Sequence, residues 1–321
     1  MTVSLLNILY HLSSLVVFFV LLSWITAYAY PVLVRLLAKI TPEQSAFSVF
    51  VYGLLAPVSA LVAILLLSLP QFSSFLVAEH CHGLDCHPHR LQMTGMTLQV
   101  ITKISVFVGV FIIACTYIAR QLYANRSRFN LLNRLAEPTP AAYKVLDSNN
   151  PFAWCTGLLQ PKIFISRGLF DRLSKDELQL VIAHEQAHAR RKDNLRKWLI
   201  HWATIVWPKG LRSRIRQDLA DITEQVCDQV AMAIQPQNDG GQTLKQALQK
   251  CRDVTDKRQF SHNVEHYNCR IKMIDKASQT PGNTDNSGVI WASRLFISAV
   301  WLSCVVATVH LGHPLLEWIA T

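Results

Sequence analysis

His184 and His188 stand four residues apart, with Glu185 directly after the first, in the run His184-Glu185-Gln186-Ala187-His188. On a helix, positions four apart share one face, so both imidazoles can bind a single metal ion. The glutamate beside the first histidine can take a proton from a metal-bound water, which is general-base chemistry for hydrolysis. Taken singly, each histidine reads as an ordinary buried core residue. The pair around a glutamate is what points to zinc. A catalytic zinc site usually has three protein ligands and an open position, so one ligand is still missing. The stretch from Asp218 to Asp228 can supply it, because Glu224 and Asp228 are four apart on one helical face. Glu224 is the candidate third ligand. Asp228 is the candidate acceptor for a hydrogen bond from a ligating histidine. Asp221, Glu224 and Asp228 also fit the solvated face of an ordinary surface helix.

These residues need a helix to carry them. Ser174-Lys175-Asp176-Glu177 has the form of a capping box, and apolar residues follow at Leu178, Leu180, Val181, Ile182 and Ala183. No Pro or Gly interrupts Lys175 to Lys192, and the basic group Arg190, Arg191 and Lys192 suits a helix C-terminus. The pattern predicts a helix through the motif. Upstream, Phe152 to Thr156 and Lys162 to Ser166 are short aromatic- or β-branched-rich runs on either side of Gly157-Leu158-Leu159-Gln160-Pro161. They predict a β-hairpin with a five-residue connection. Such a strand beside the metal helix is either purely structural or a template for an extended substrate. Hydrolysis also needs an oxyanion stabiliser, for which His201, His262, His266 and Tyr267 are candidates.

Three blocks carry a family resemblance: Pro151 to Ile165; Leu173 to Leu178 with the histidine motif and Arg190-Arg191-Lys192-Asp193-Asn194; and Glu224-Gln225-Val226-Cys227-Asp228. In order and spacing they resemble the BlaR/MecR-type membrane metallopeptidases, antirepressor proteases known from β-lactam sensing. The resemblance implies a gluzincin-like fold, Zn2+ as cofactor and Glu224 as third ligand. It also implies a signalling protease that cleaves itself, a winged-helix repressor, or both. HtpX-type quality-control proteases share the histidine motif and a later glutamate, while Cys227-Asp228 and the Arg-Arg-Lys-Asp-Asn run favour the BlaR/MecR side. Proteins of that type carry a penicillin-binding sensor domain after the last span. The sequence ends at Thr321, so β-lactam sensing is not expected. A non-catalytic membrane receptor with a structural zinc site is the rival from another class.

The chain has 321 residues, of which 51% are hydrophobic. Four uncharged runs explain that share: Leu5 to Ala29, Gln44 to Ala78, Ile104 to Ala119 and Leu295 to Leu316. Each is long enough to cross a bilayer, the third with its flanks. The expected fold class is therefore an α-helical integral membrane protein with four transmembrane helices and a cytoplasmic α+β gluzincin-like metallopeptidase domain. The expected division is 1–119 for three spans, 120–288 for the peptidase domain, and 289–321 for the fourth span with a short outer tail. Nothing before Arg35 is basic, so the first run is not expected to be a cleaved signal peptide. Arg35, Lys39, Arg120, Arg126, Arg128 and Arg134 lie on the side of the peptidase region, and the loop from about 71 to 97 has only Arg90. The positive-inside rule then puts both termini outside and the catalytic region in the cytoplasm, expected to be that of a bacterium.

The net charge of +10 lies mostly between Arg120 and Gly288, which suits an anionic inner leaflet. No zinc finger, RNA-recognition or helix-turn-helix pattern is present, so direct nucleic-acid binding is not expected. Cys155, Cys227, Cys251 and Cys269 are expected to be reduced in a cytoplasmic domain. The outer loop Glu79 to His89 gathers His80, His82, His87 and His89 with Cys81 and Cys86. This is a metal-binding composition, and it is equally a disulfide-stapled turn with incidental histidines. With a signalling protease in need of an input, the four histidines are a candidate sensor for a transition metal.

Overall fold

The computed structural model describes residues 2–68, 97–139, 142–235, 240–252, 267–275 and 287–320. Long apolar helices account for much of it. They are α1 (Thr2–Leu37), the pair α2 (Pro42–Gly53) and α3 (Leu55–Ser68), α4 (Leu98–Leu135) and α11 (Ser287–Ala320). Among the described residues, Ile8–Leu37, Leu98–Leu135 and Ser287–His310 are long and apolar enough to cross a membrane. A fourth span results only if α2 and α3 are counted as one, and they meet at 45°.

The bend lies within the apolar run expected to form the second span. Proline at 57 has no N–H to give the Gly53 carbonyl, and its ring collides with that group, so the helix is cut at Leu54. In α3 the same proline lies in the first turn, where no intrahelical donor is required. The two halves pack differently. α3 lies against α1 and α11, whereas α2 lies mainly on α8 (Lys209–Met232). The part of the run beyond Ser68, with the whole outer loop, is outside the described residues. α4 also continues unbroken past residue 119, where the third span was expected to end.

A four-stranded sheet follows α4: β1 (Glu137–Pro138), β2 (Tyr143–Leu146), β3 (Ala153–Thr156) and β4 (Lys162–Ser166). The order is β1-β2-β4-β3, with β2 and β4 parallel and the outer pairs antiparallel. The hairpin expectation is met by β3 and β4, with Trp154 opposite Phe164 and Cys155 opposite Ile163. Gly157 opens the connection at φ 107°, a conformation that costs a side-chain-bearing residue dearly. Ile163, Phe164 and Ile165 bury β4, while β3 forms an edge and packs on the next long helix.

The short helix α5 (Arg167–Phe170) leads into that helix, α6 (Lys175–Arg191). The predicted capping box forms. The Glu177 N–H donates to Ser174 Oγ at 3.2 Å, and the Ser174 N–H donates to Glu177 Oε2 at 2.7 Å. Lys192 then turns the chain in the left-handed region, at φ 52°, straight into α7 (Asp193–Ala203). α9 (Gly240–Arg252) and a helix over 267–275, here α10, complete the described elements.

One buried cluster ties the apolar helices to the helices around the site. Tyr30 of α1, Tyr52 of α2, Ile200 of α7, Trp207 just before α8, Ile215 and Leu219 of α8, and Ile297 of α11 all belong to it. Within the cluster the Tyr30 hydroxyl donates to Asp218 Oδ2 at 2.7 Å.

Candidate metal centre

α6 sets the two histidines of the motif on one face, with their Nε2 atoms 3.1 Å apart. Glu224 reaches them from α8. Its Oε2 lies 3.4 Å from His184 Nε2 and its Oε1 3.5 Å from His188 Nε2. Donors bound at about 2.0–2.1 Å to one tetrahedral ion lie roughly 3.3 Å from each other. The observed separations match that polyhedron edge.

The other ring nitrogens are equally well placed. His184 Nδ1 is 3.0 Å from Asp228 Oδ1, and His188 Nδ1 is 3.0 Å from Asp193 Oδ2. A carboxylate at each Nδ1 holds the proton there and leaves the Nε2 lone pair facing Glu224. Two lone pairs and a carboxylate converging in a partly buried place fit a divalent cation. Asp228 is buried, which excludes the solvated-face alternative for it.

Charges follow from this packing. Burial works against ionising Glu224, yet hydrogen bonds from His184 and His188 and the charge of Arg270 hold it well below the usual carboxylate range. Asp228 is lowered against the same burial penalty by His184 and Arg270. Burial disfavours His188 as a cation, but bonds to Asp193, Cys227 and Glu224 outweigh it and push the ring up to about 12. His184 is raised by Asp228 and Glu224 against its own burial. Two Nε2 atoms 3.1 Å apart cannot both carry protons. The shared meaning is a strong affinity for positive charge at one point.

In the metal-free chain the raised histidine contributes stability that is full below its ordinary value near 6.5 and is lost as pH rises through about 12. A metal must displace that proton. Adding zinc at pH 7 to the apo chain should therefore release about one proton per site, and metal affinity should rise with pH. Indicator-dye titration in weak buffer measures this, and zinc uptake without proton release would show that the histidines are not ligands.

Asp193 and Arg270 complete the arrangement. Asp193 opens α7 one residue after the left-handed Lys192, so the tight turn aims it back at His188. Arg270 comes from α10. Its Nε and Nη2 donate to Asp228 Oδ2 and Oδ1 at 2.8 and 2.6 Å, and its Nη1 lies 3.3 Å from Glu224 Oε2. No motif surrounds Arg270, so nothing in the sequence marked it. Asp193 was visible only as part of the Arg-Arg-Lys-Asp-Asn run. Its neighbour Asn194 donates from Nδ2 to the Cys155 carbonyl at 2.9 Å, which fixes edge strand β3 beside α6.

Glu185 follows His184 on α6 and is buried. A second group with metal-ligand chemistry, His188, Asp193 and Cys227, shares the Nδ1 side of His188. Cys227 Sγ is 3.3 Å from that nitrogen. Burial raises the Cys227 thiol against the pull of His188, so without metal the protonated thiol is placed to hydrogen-bond there. That side of the ring suits hydrogen bonding. Of the oxyanion candidates, His201 packs edge-on against Trp202, and its carbonyl accepts from Arg216. Tyr267 lies on α10 with Arg270. His262, His266, His80, His82, His87, His89, Cys81 and Cys86 lie outside the described residues.

Residues 32–274 match the family described as BlaR1 peptidase M56. The Protease HtpX homolog of Thermodesulfovibrio yellowstonii is 38% identical over 74 residues, covering 21% of this chain and 26% of that protein. Protease HtpX of Legionella pneumophila subsp. pneumophila is 33% identical over 75 residues, covering 23% and 26%. The chain thus spans about a quarter of the length of these curated relatives. No solved structure matches.

Proposed function

The chain belongs to the BlaR1 peptidase M56 family, and from that premise we propose that it is a membrane-embedded zinc endopeptidase with a protein substrate. The observation that carries the proposal is the convergence of His184 Nε2, His188 Nε2 and the Glu224 carboxylate at coordination-edge distances. When bound, zinc supplies Lewis-acid polarisation of the scissile carbonyl and of water. Asp228 and Asp193 keep the two imidazoles in the ligating tautomer. Glu185 takes the proton of the attacking water and delivers it to the leaving amine. Arg270, with Nη1 beside Glu224, joins the four candidates named above as a group placed to stabilise the developing oxyanion. Strand β3 pairs with β4 on one side and leaves its other edge for an extended substrate.

The active site is proposed to face the cytoplasm of a bacterium, with four spans and both termini outside, from the distribution of Arg and Lys. The substrate class is the chain itself, a winged-helix repressor, or both, in keeping with the family. The local likeness to HtpX proteases supports a second reading, a quality-control protease of broad specificity. The test uses the purified full chain. It should hold about one zinc per chain, hydrolyse an unfolded protein such as casein or cut itself, lose that activity to a chelator and regain it with zinc. Cleavage at one or two positions of a repressor favours signalling, and indiscriminate cleavage favours quality control. Zinc retention with no hydrolysis of any of these would replace the proposal with a structural zinc site.

A further inference from the structure

Away from the metal centre, three arginines converge on a cavity of about 270 Å³ where α2, α6, α7 and α11 meet. Arg191 ends α6, Arg196 lies on α7 and Arg294 on α11, and Glu43, Gln44 and Phe47 of α2 close the opposite wall. We infer that this cavity binds a phosphate-bearing headgroup of an anionic lipid. The inference rests on the membrane reading of α1 and α11.

The polar groups lining it are incompletely paired. Arg191 Nε and Nη2 are buried donors with no hydrogen-bond partner, although Asp193 Oδ1 nearby is likewise a buried acceptor without one. The contacts Arg191 does make are long. Its Nη1 is 3.5 Å from Glu43 Oε1 and its Nε 3.4 Å from Asp193 Oδ1, against about 2.7–2.9 Å for a charge-assisted bond. Arg196 Nη1 is 3.9 Å from the same Asp193 oxygen. Burial first, and then the neighbouring Arg191, lower the Arg196 guanidinium from its usual value, while Asp193 and Glu43 oppose the shift. Buried donors without acceptors are costly, and phosphate oxygens are the acceptors that guanidinium forks fit. Glu43 is the one acid on the wall, and its side chain is mostly exposed, so the lining keeps a positive excess.

The position favours a lipid over a free anion. Arg294 immediately precedes the uncharged run of α11, and its guanidinium lies 5.6 Å over the Trp291 ring. An arginine and a tryptophan at the end of an apolar helix are interfacial residues. Trp291 and Phe47 are both exposed beside the cavity, where acyl chains would lie. The volume falls just below the roughly 300–1,000 Å³ of drug-sized sites, enough for a headgroup but not for a large ligand. Occupancy would also draw on Arg191 and Arg196, which otherwise face Asp193, the residue at His188 Nδ1.

The full chain in phosphatidylcholine nanodiscs, doped in turn with spin-labelled phosphatidylglycerol and spin-labelled phosphatidylcholine, tests this. Motionally restricted label should be several-fold higher for phosphatidylglycerol and should fall to the phosphatidylcholine level in Arg196→Gln/Arg294→Gln. Glu43→Gln, which removes the competing acid, should raise it and does not depend on the arginine variants folding. Excess inorganic phosphate, against chloride at equal ionic strength, should leave the restricted fraction in place; displacement would assign the cavity to a free anion and overturn the lipid reading. Equal restriction of the two lipids, or a preference that neither variant changes, would also overturn it. Carbonate washing of the source membranes separates the two levels. Release of the chain overturns the membrane reading and this inference together, whereas retention without a lipid preference overturns this inference alone.

Discussion

Glu185→Gln is expected to keep about one zinc per chain and to lose about 10²–10⁴-fold in peptide hydrolysis, the range that general-base help supplies. Glutamine is nearly isosteric with glutamate, so the buried position next to His184 should repack without a cavity. It cannot accept a proton from water, so the loss should appear in kcat with little change in KM. The three ligating groups are untouched, which is why metal content should hold. Metal analysis beside a casein or self-cleavage assay on the same preparation decides the matter. A variant as active as the parent would remove Glu185 from the mechanism, and a variant without zinc would show that the residue supports the site structurally.

Asp228→Ala should do more damage to the protein than to any single chemical step. Its carboxylate accepts both Arg270 bonds and faces His184 Nδ1. Removing it leaves a partly buried guanidinium with only Glu224 as counter-charge, at a cost of about 1.5–3 kcal/mol. It also frees the His184 ring, which typically lowers metal affinity about 10–100-fold. Asp228→Asn should be milder, because the amide oxygen can still accept one bond. Thermal melts of the apo chain and competitive zinc titrations read the two effects separately. If Asp228→Ala melted with the parent and bound zinc as tightly, the bridging arrangement would carry no weight in the fold or the site.

How much of this was legible in the sequence depends on whether a residue's partners are local. The α6 helix was, because Ser174, Glu177 and the uninterrupted run to Lys192 all act within a turn or two. The β3–β4 hairpin was, because its turn and both strands are contiguous. Glu224 and Asp228 were proposed from their four-residue spacing, and their distance to the histidines was not readable, since α6 and α8 meet only through tertiary packing. Arg270 lies 42 residues from Asp228, with no pattern around it, and only the folded chain joins them. The apolar run from Gln44 was legible as a span from composition; the bend in it comes from the steric effect of Pro57 on the Gly53 carbonyl, whose angle only the folded chain gives.

The bond from Tyr30 to Asp218 has a mechanical meaning. A helix is stiff over a few turns, and Glu224 follows Asp218 on α8 by six residues, about 9 Å along the axis. No loop intervenes to absorb a displacement. A hydrogen bond to a charged acceptor resists separation by about 1.5–3 kcal/mol, and the packed rings of Tyr30, Tyr52 and Trp207 add shear resistance around it. α1 and the carboxylate-bearing stretch of α8 therefore move as one strut. If α1 crosses a bilayer, its tilt answers to bilayer thickness. The placement of Glu224 against the two histidines then carries a mechanical load set by the lipid around it.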